Sequence, residues 1–299
     1  MMVTNYILAF IYFAVAVTVL LTVLLYVFQC DLLYAAGFPA GSRSTVARPS
    51  QYDLPDKEVI LMTSDGVKIR SYVMIQRDQN GEDLAIQSPT ILWFHSHTGN
   101  MGHRLPVAKV FYEKLGYNVV MLSYRGYGLS EGKPNEKGLN VDAQTALDYI
   151  LHHPILRHTR LICMGQSLGG ALALNLVSKN EDKFAALIIE NTFLSMTLLI
   201  PHALPALRHL VYLCNQTWRA YRAIQHIHHI PILLLSSLKD ELVPPAHMKK
   251  LYEISHTTGG KVWKEFENGT HNDTCMQEGY FKAIADFGLK YVWDLSDQE

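Results

Sequence analysis

Ser167 sits in Gly165-Gln166-Ser167-Leu168-Gly169, a serine with glycine two positions before it and two after. The pattern suits a turn so tight that a Cβ at either flanking position would meet neighbouring backbone, and such a turn presents the hydroxyl as a nucleophile. The N–H of Leu168 and the start of the following helix would then face negative charge forming beside the serine oxygen. The five letters alone are weak, because a glycine-rich turn with a bystander serine reads the same way. Context strengthens them: residues 161–164 form an apolar run of strand type, and residues 168–178 are rich in Ala and Leu, as a buried helix is.

A serine nucleophile needs a base to take its proton and an acid to orient that base. The chain has 14 histidines, so residue type singles out none of them. His271 is singled out by place, on a loop of turn formers, Glu267-Asn268-Gly269-Thr270-His271-Asn272-Asp273, after the strand-like run 262–266. His152, His153 and His158 read as a helix end. His226, His228 and His229 read as a surface turn with no third metal ligand placed beside it. For the acid, Asp240 and Glu241 both follow the apolar run 232–235, and either could instead cap a helix or lie in solvent. Asp240 is favoured, giving the chain order Ser–Asp–His. A second oxyanion donor is expected from the backbone of His95-Ser96-His97-Thr98, after the run 91–94, with the N–H of His97 as the choice beside that of Leu168. If the loop needs a positive φ at Ser96, the serine is strained there.

These residues follow strand-like runs, which indicates the elements that must position them. Residues 59–62 and 68–73 flank Ser64-Asp65-Gly66, a hairpin signal. Residues 91–94, 119–122, 161–164, 187–189 and 232–235 are short apolar runs suited to parallel strands covered on both faces. Helix-length segments lie between them at 140–152, 168–178, 246–254 and 280–292. The alternation predicts an α/β domain over 57–293, with a mostly parallel central sheet opened by an antiparallel hairpin and helices on both faces. Its ligand site should lie beyond the C-terminal strand ends. Residues 191–229 break the alternation and read as a small cap, whose apolar side chains point to a greasy substrate or simply to helix packing.

Apolar residues make up 49% of the chain and charged residues 18%, and residues 1–30 have no charged side chain. Residues 6–28 lack Pro, Gly and charge; at ~1.5 Å per residue they span roughly 34 Å, enough for a bilayer core. A single transmembrane anchor over 1–30 fits better than a cleaved signal peptide, since the run is long and no basic residue precedes it. Residues 31–56 read as a linker. A net charge of −1 with no basic run excludes nucleic acid as a partner. The four cysteines show neither metal-ligand nor disulfide-framework spacing; Cys30, beside the anchor, is a candidate for S-acylation, an unmodified thiol being the plainer reading.

The chain resembles the Bem-type bud-emergence hydrolases of fungi and their animal relatives. The resemblance rests on Leu32-Leu33-Tyr34, Gly102-His103-Arg104-Leu105-Pro106, Tyr124-Arg125-Gly126-Tyr127-Gly128, Ser167-Leu168-Gly169-Gly170, Glu190-Asn191-Thr192-Phe193 and Gly269-Thr270-His271-Asn272-Asp273. It implies an α/β-hydrolase fold preceded by one transmembrane helix, with a Ser–Asp–His triad falling on Ser167, Asp240 and His271. Ser96 and Ser237 depart from glycines usual in the family. The expected activity is cleavage of an ester or thioester, without metal or organic cofactor, in a lipid, an acylated small molecule or an acylated protein. The expected location is the endoplasmic reticulum or the plasma membrane. The side of the membrane stays open: Arg43 and Arg48 after the helix favour a cytosolic domain, and so do the sequons at Asn268 and Asn272 beside His271, whereas the family resemblance implies the opposite orientation. The rival readings are a tethered scaffold with little turnover and an acyltransferase on the same triad.

Overall fold

A computed structural model describes residues 2–77 and 82–293. The chain opens with helix α1 (Met2–Leu33), whose most apolar 18-residue window, within Thr4–Leu33, has a mean hydropathy of 2.7. Among the described residues it is the one helix long and apolar enough to cross a membrane.

Eight strands form one sheet: β1 (Glu58–Met62), β2 (Lys68–Met74), β3 (Thr90–Phe94), β4 (Asn118–Ser123), β5 (Leu161–Gln166), β6 (Ala186–Glu190), β7 (Ile232–Ser237) and β8 (Lys261–Phe266). Their order is β1-β2-β4-β3-β5-β6-β7-β8. The pairs β1–β2 and β2–β4 are antiparallel, and every later pair is parallel. The central strands read as unbroken apolar runs because both of their faces are covered. Alternate side chains enter opposite cores: Ile91, Trp93, Ile162 and Met164 pack on one face, and Leu92, Phe94 and Cys163 on the other. Truncating a fully buried side chain such as Leu92 to alanine would cost about 2–5 kcal/mol.

The remaining helices are α2 (Glu82–Gln87), α3 (Leu105–Glu113), α4 (Glu136–His152), α5 (Leu168–Val177), α6 (Met196–Ala203), α7 (Ala220–Ala223), α8 (Pro245–Ile254) and α9 (Tyr280–Tyr291). Asn135 starts α4 by accepting a hydrogen bond from the N–H of Gly138 at 2.8 Å. Helix α3 has no counterpart in the sequence reading, since Pro106 in its first turn resembles a breaker as much as a start signal.

Two segments gain definition. Residues 34–56 are docked along the body: Asn100 Nδ2 donates to the carbonyls of Ser42 and Thr45, at 2.9 and 3.0 Å, and Tyr72 donates to the carbonyl of Ala47 at 2.9 Å. Between β6 and β7 the alternation gives way to α6, a 3₁₀ segment Pro205–Leu213, and the single turn α7. Ser195 caps α6, and Pro205 follows its end, where it cannot extend the helix.

Candidate active site

Ser167 occupies the joint between β5 and α5, at φ +55° and ψ −116°. A Cβ at position 165 would meet the carbonyl of Gly169, and one at 169 would meet the carbonyls of Phe94 and His95, so both glycines are obligatory. The turn holds a non-glycine residue at positive φ, a strain of order 1–3 kcal/mol that persists because the buried strand and helix on either side fix the backbone.

The loops after β7 and β8 bring the other two expected residues to it. Ser167 Oγ lies 3.0 Å from His271 Nε2, and His271 Nδ1 lies 2.8 Å from Asp240 Oδ2, across sequence separations of 104 and 31 residues. All three side chains are buried. Asp240 is itself held, since its Oδ1 accepts hydrogen bonds from the N–H groups of Leu242 and Val243 at 2.9 and 2.7 Å. Glu241 takes a different place, its Oε2 accepting from the backbone N–H of His271 at 3.2 Å. The geometry separates two acids that the sequence left side by side. The chain Asp240–His271–Ser167 fixes the tautomer with hydrogen on Nδ1, and it leaves Nε2 free to accept from the serine hydroxyl.

The His271 loop rests on buried polar groups from the ends of β5 and β6. Gln166 Nε2 donates to Glu190 Oε1 at 3.0 Å and to the carbonyl of His271 at 3.2 Å. Tyr280 donates to Glu190 Oε2 at 2.6 Å. Asn191 Nδ2 donates to Thr274 Oγ1 at 2.8 Å, while its Oδ1 accepts from the N–H of Ser237. Burial pushes the Glu190 carboxyl above its usual range, and the Tyr280 hydroxyl opposes this.

The loop after β3 forms the facing wall. Tyr124 donates to the carbonyl of His95 at 2.7 Å and Tyr127 to that of His97 at 2.8 Å, so the Tyr-Arg-Gly-Tyr-Gly turn after β4 braces this loop. That turn is anchored in its own right: Arg125 reaches Asp142 at 2.9 Å and Asp65 at 2.7 Å. Burial drives the His95 imidazole down to about 3 and, with help from the charges of His271 and Arg104, that of His97 down to about 4; both stay neutral near neutral pH.

Ser96 departs from the strained state envisaged for it. Among the described residues the non-glycine positions at positive φ are Asp53, Ser167, Asn191 and Trp218, so Ser96 has an ordinary backbone. Its Oγ instead accepts from Arg104 Nη2 at 2.9 Å. Tyr124, Tyr127, Arg104, Glu190 and Asn191 all stand in motifs the sequence displays, yet their supporting roles escaped its reading. The usable signal was position: most of them follow the C-terminal ends of strands.

His97, Ser167, Leu168 and His271 share a cleft of about 150 Å³, otherwise lined by apolar side chains that include Phe193, Met196 and Val243. Leu168 is the first residue of α5, so its N–H has no acceptor within that helix. A larger concavity, about 1080 Å³, lies elsewhere; Asn135, Gln144, Asp148 and Lys179 are among its walls, and neither Ser167, Asp240 nor His271 lines it. Among the described residues no group of three or more His, Cys, Asp or Glu is arranged to hold a metal.

A family model described as alpha/beta hydrolase fold matches residues 89–220. The chain is 43% identical over 275 residues to Protein bem46 of Schizosaccharomyces pombe, a match covering 92% of this chain and 90% of that protein. It is 36% identical over 274 residues to an uncharacterized membrane protein of Saccharomyces cerevisiae, covering 91% of this chain and 93% of the other. Among solved structures, the Pyrococcus furiosus esterase Pf2001 matches with a TM-score of 0.67 at 17% identity, over 83% of this chain and 95% of that one, a likeness of fold.

Proposed function

The chain belongs to the Bem46-type family of α/β-hydrolases, and from that membership we propose that it is a membrane-associated serine hydrolase of acyl esters or thioesters, with Ser167 as nucleophile, His271 as base and Asp240 as orienting acid. The observation that carries this reading is the hydrogen-bonded line from Asp240 through His271 to Ser167, ending in an apolar cleft.

In the proposed reaction Ser167 Oγ attacks the acyl carbonyl while His271 Nε2 takes its proton. Asp240 stabilises the imidazolium that forms. The N–H groups of Leu168 and His97 are the proposed donors to the oxyanion, helped by the N-terminus of α5. Collapse of the tetrahedral intermediate breaks the bond to the alcohol or thiol, which leaves with the proton from His271. Water then attacks the acyl-enzyme with His271 again as base, releasing the carboxylic acid and restoring the serine. The apolar walls favour an acyl group over a charged one. No step calls for a metal or an organic cofactor.

The test is covalent labelling of purified full-length protein with a fluorophosphonate. The wild type should label at Ser167, and Ser167→Ala should neither label nor turn over ester. Labelling that survives Ser167→Ala would remove the serine from this role.

A further inference from the structure

Two apolar spaces meet at the end of α1. The Ser167 cleft counts Leu32 and Leu33 of α1 among its walls. A second, smaller space of about 40 Å³ lies between α1 and the cap, with Leu25 and Gln29 on one side and Leu207 and Leu210 on the other. Leu32, Leu33, Ile200 and Leu204 form the wall common to both.

The helix is fastened where it borders these spaces. Gln29 Oε1 accepts from the backbone N–H of Asn215 at 2.9 Å. Just beyond the helix, buried Tyr34 donates to Gln216 Oε1 at 2.8 Å and accepts from Trp218 Nε1 at 2.9 Å. A helix of 32 residues is ~48 Å long at ~1.5 Å per residue, longer than a hydrocarbon core of ~30 Å. Its last turns therefore stand at the membrane surface when the exposed, apolar first part is immersed.

We infer that the substrate is an ester of a bilayer-resident lipid, whose acyl chain passes sideways from the membrane between α1 and the cap to Ser167, so that α1 is a wall of the acyl site as well as an anchor. The inference rests on the serine-hydrolase reading. The chemistry of the passage selects an acyl chain. Gln29 has its amide occupied, its Nε2 donating to the carbonyl of Tyr26 and its Oε1 accepting from Asn215. A peptide threaded there would bury unpaired N–H and C=O groups, whereas a hydrocarbon chain has none to bury. Ser167 is 4% exposed, so the reacting carbonyl must be carried inward, and a chain drawn from the adjacent bilayer does this without crossing water.

The experiment uses full-length protein reconstituted in phosphatidylcholine vesicles with monoacylglycerols bearing butanoyl, octanoyl or hexadecanoyl chains, and fluorophosphonate labelling run in parallel. Wild-type kcat/KM should rise with chain length, by at least about tenfold from butanoyl to hexadecanoyl, since each buried methylene contributes. Leu207→Trp and Leu210→Trp, which narrow the passage at the cap, should lower the hexadecanoyl-to-butanoyl ratio by about tenfold or more. A wild-type ratio that is flat or falls with chain length overturns the inference even if both variants misfold. So does an unchanged ratio in both variants, or cleavage of a vesicle-anchored S-hexadecanoyl peptide without cleavage of any lipid ester. Wild-type protein that takes no fluorophosphonate at all would instead sink the hydrolase reading beneath it.

Discussion

Arg104 donates from Nη2 to Ser96 Oγ across 2.9 Å, tying the first turn before α3 to the loop behind the Ser167 cleft. Arg104 Nε is buried without a partner among the described residues, so this hydroxyl is a principal acceptor for a desolvated cation. Glycine at 96 would strand Nη2 as well. Ser96→Gly and Ser96→Ala should each lower stability by about 1–3 kcal/mol, measured by chemical unfolding in detergent. The two should be similar, because the backbone there has no need of glycine. A gain in stability with glycine would show that the hydrogen bond contributes nothing.

The positive φ of Ser167 gives a way to separate strain from chemistry. Ser167→Ala and Ser167→Gly both delete the hydroxyl and should both abolish fluorophosphonate labelling. Only glycine releases the Cβ, so Ser167→Gly should be the more stable of the two by about 1 kcal/mol. Equal melting temperatures would place the strain elsewhere.

Asp240 and Glu241 should respond differently to neutral amide replacement. Asp240→Asn keeps the shape but offers His271 Nδ1 the choice of an amide donor, favouring the wrong tautomer; kcat should fall on the order of 10⁴-fold with KM little changed. Glu241→Gln retains an oxygen for the backbone N–H of His271 and should change kcat by less than about tenfold. The opposite ranking in steady-state kinetics would transfer the role to Glu241.

Acid should loosen the fold before it reaches the carboxylates. His95 and His97 are held down to about 3 and about 4 by burial, against about 6.5 in an unfolded chain. Between those limits the unfolded chain binds protons that the folded chain refuses, so stability present above pH 6.5 is lost as pH falls toward 4 and levels off below about 3. Each group contributes a slope of about 1.4 kcal/mol per pH unit where it is charged only in the unfolded state. Unfolding free energies measured across this window should show the decline, and His95→Gln should remove one proton's worth of slope. An unaltered slope in that variant would assign the acid sensitivity to other groups.

Local patterns were enough for much of this. The five apolar runs located β3 to β7 to within a few residues, because a strand covered on both faces must be apolar throughout, while a hairpin signal marked β1 and β2 and the run 262–266 marked β8. The glycine spacing around Ser167 and the turn formers around His271 marked two loops whose geometry is set by neighbours in sequence. Residues 6–28 marked a membrane-length helix by composition alone, and the stretch between β6 and β7 announced itself by breaking the alternation. What the sequence could not decide were relationships closed by the whole fold. Asp240 prevails over Glu241 because the N–H groups of Leu242 and Val243 turn its free oxygen toward a histidine 31 residues away. Ser96 has a use for its hydroxyl because Arg104, eight residues on, arrives beside it. Leu32 and Leu33 border the serine cleft because Tyr34, Trp218 and Gln216 lock the helix end to the cap, more than 180 residues along the chain. Periodicity reports which face of an element is buried; which side chains then meet is settled only when distant elements are packed to crystal-like density, with each buried polar atom seeking a partner.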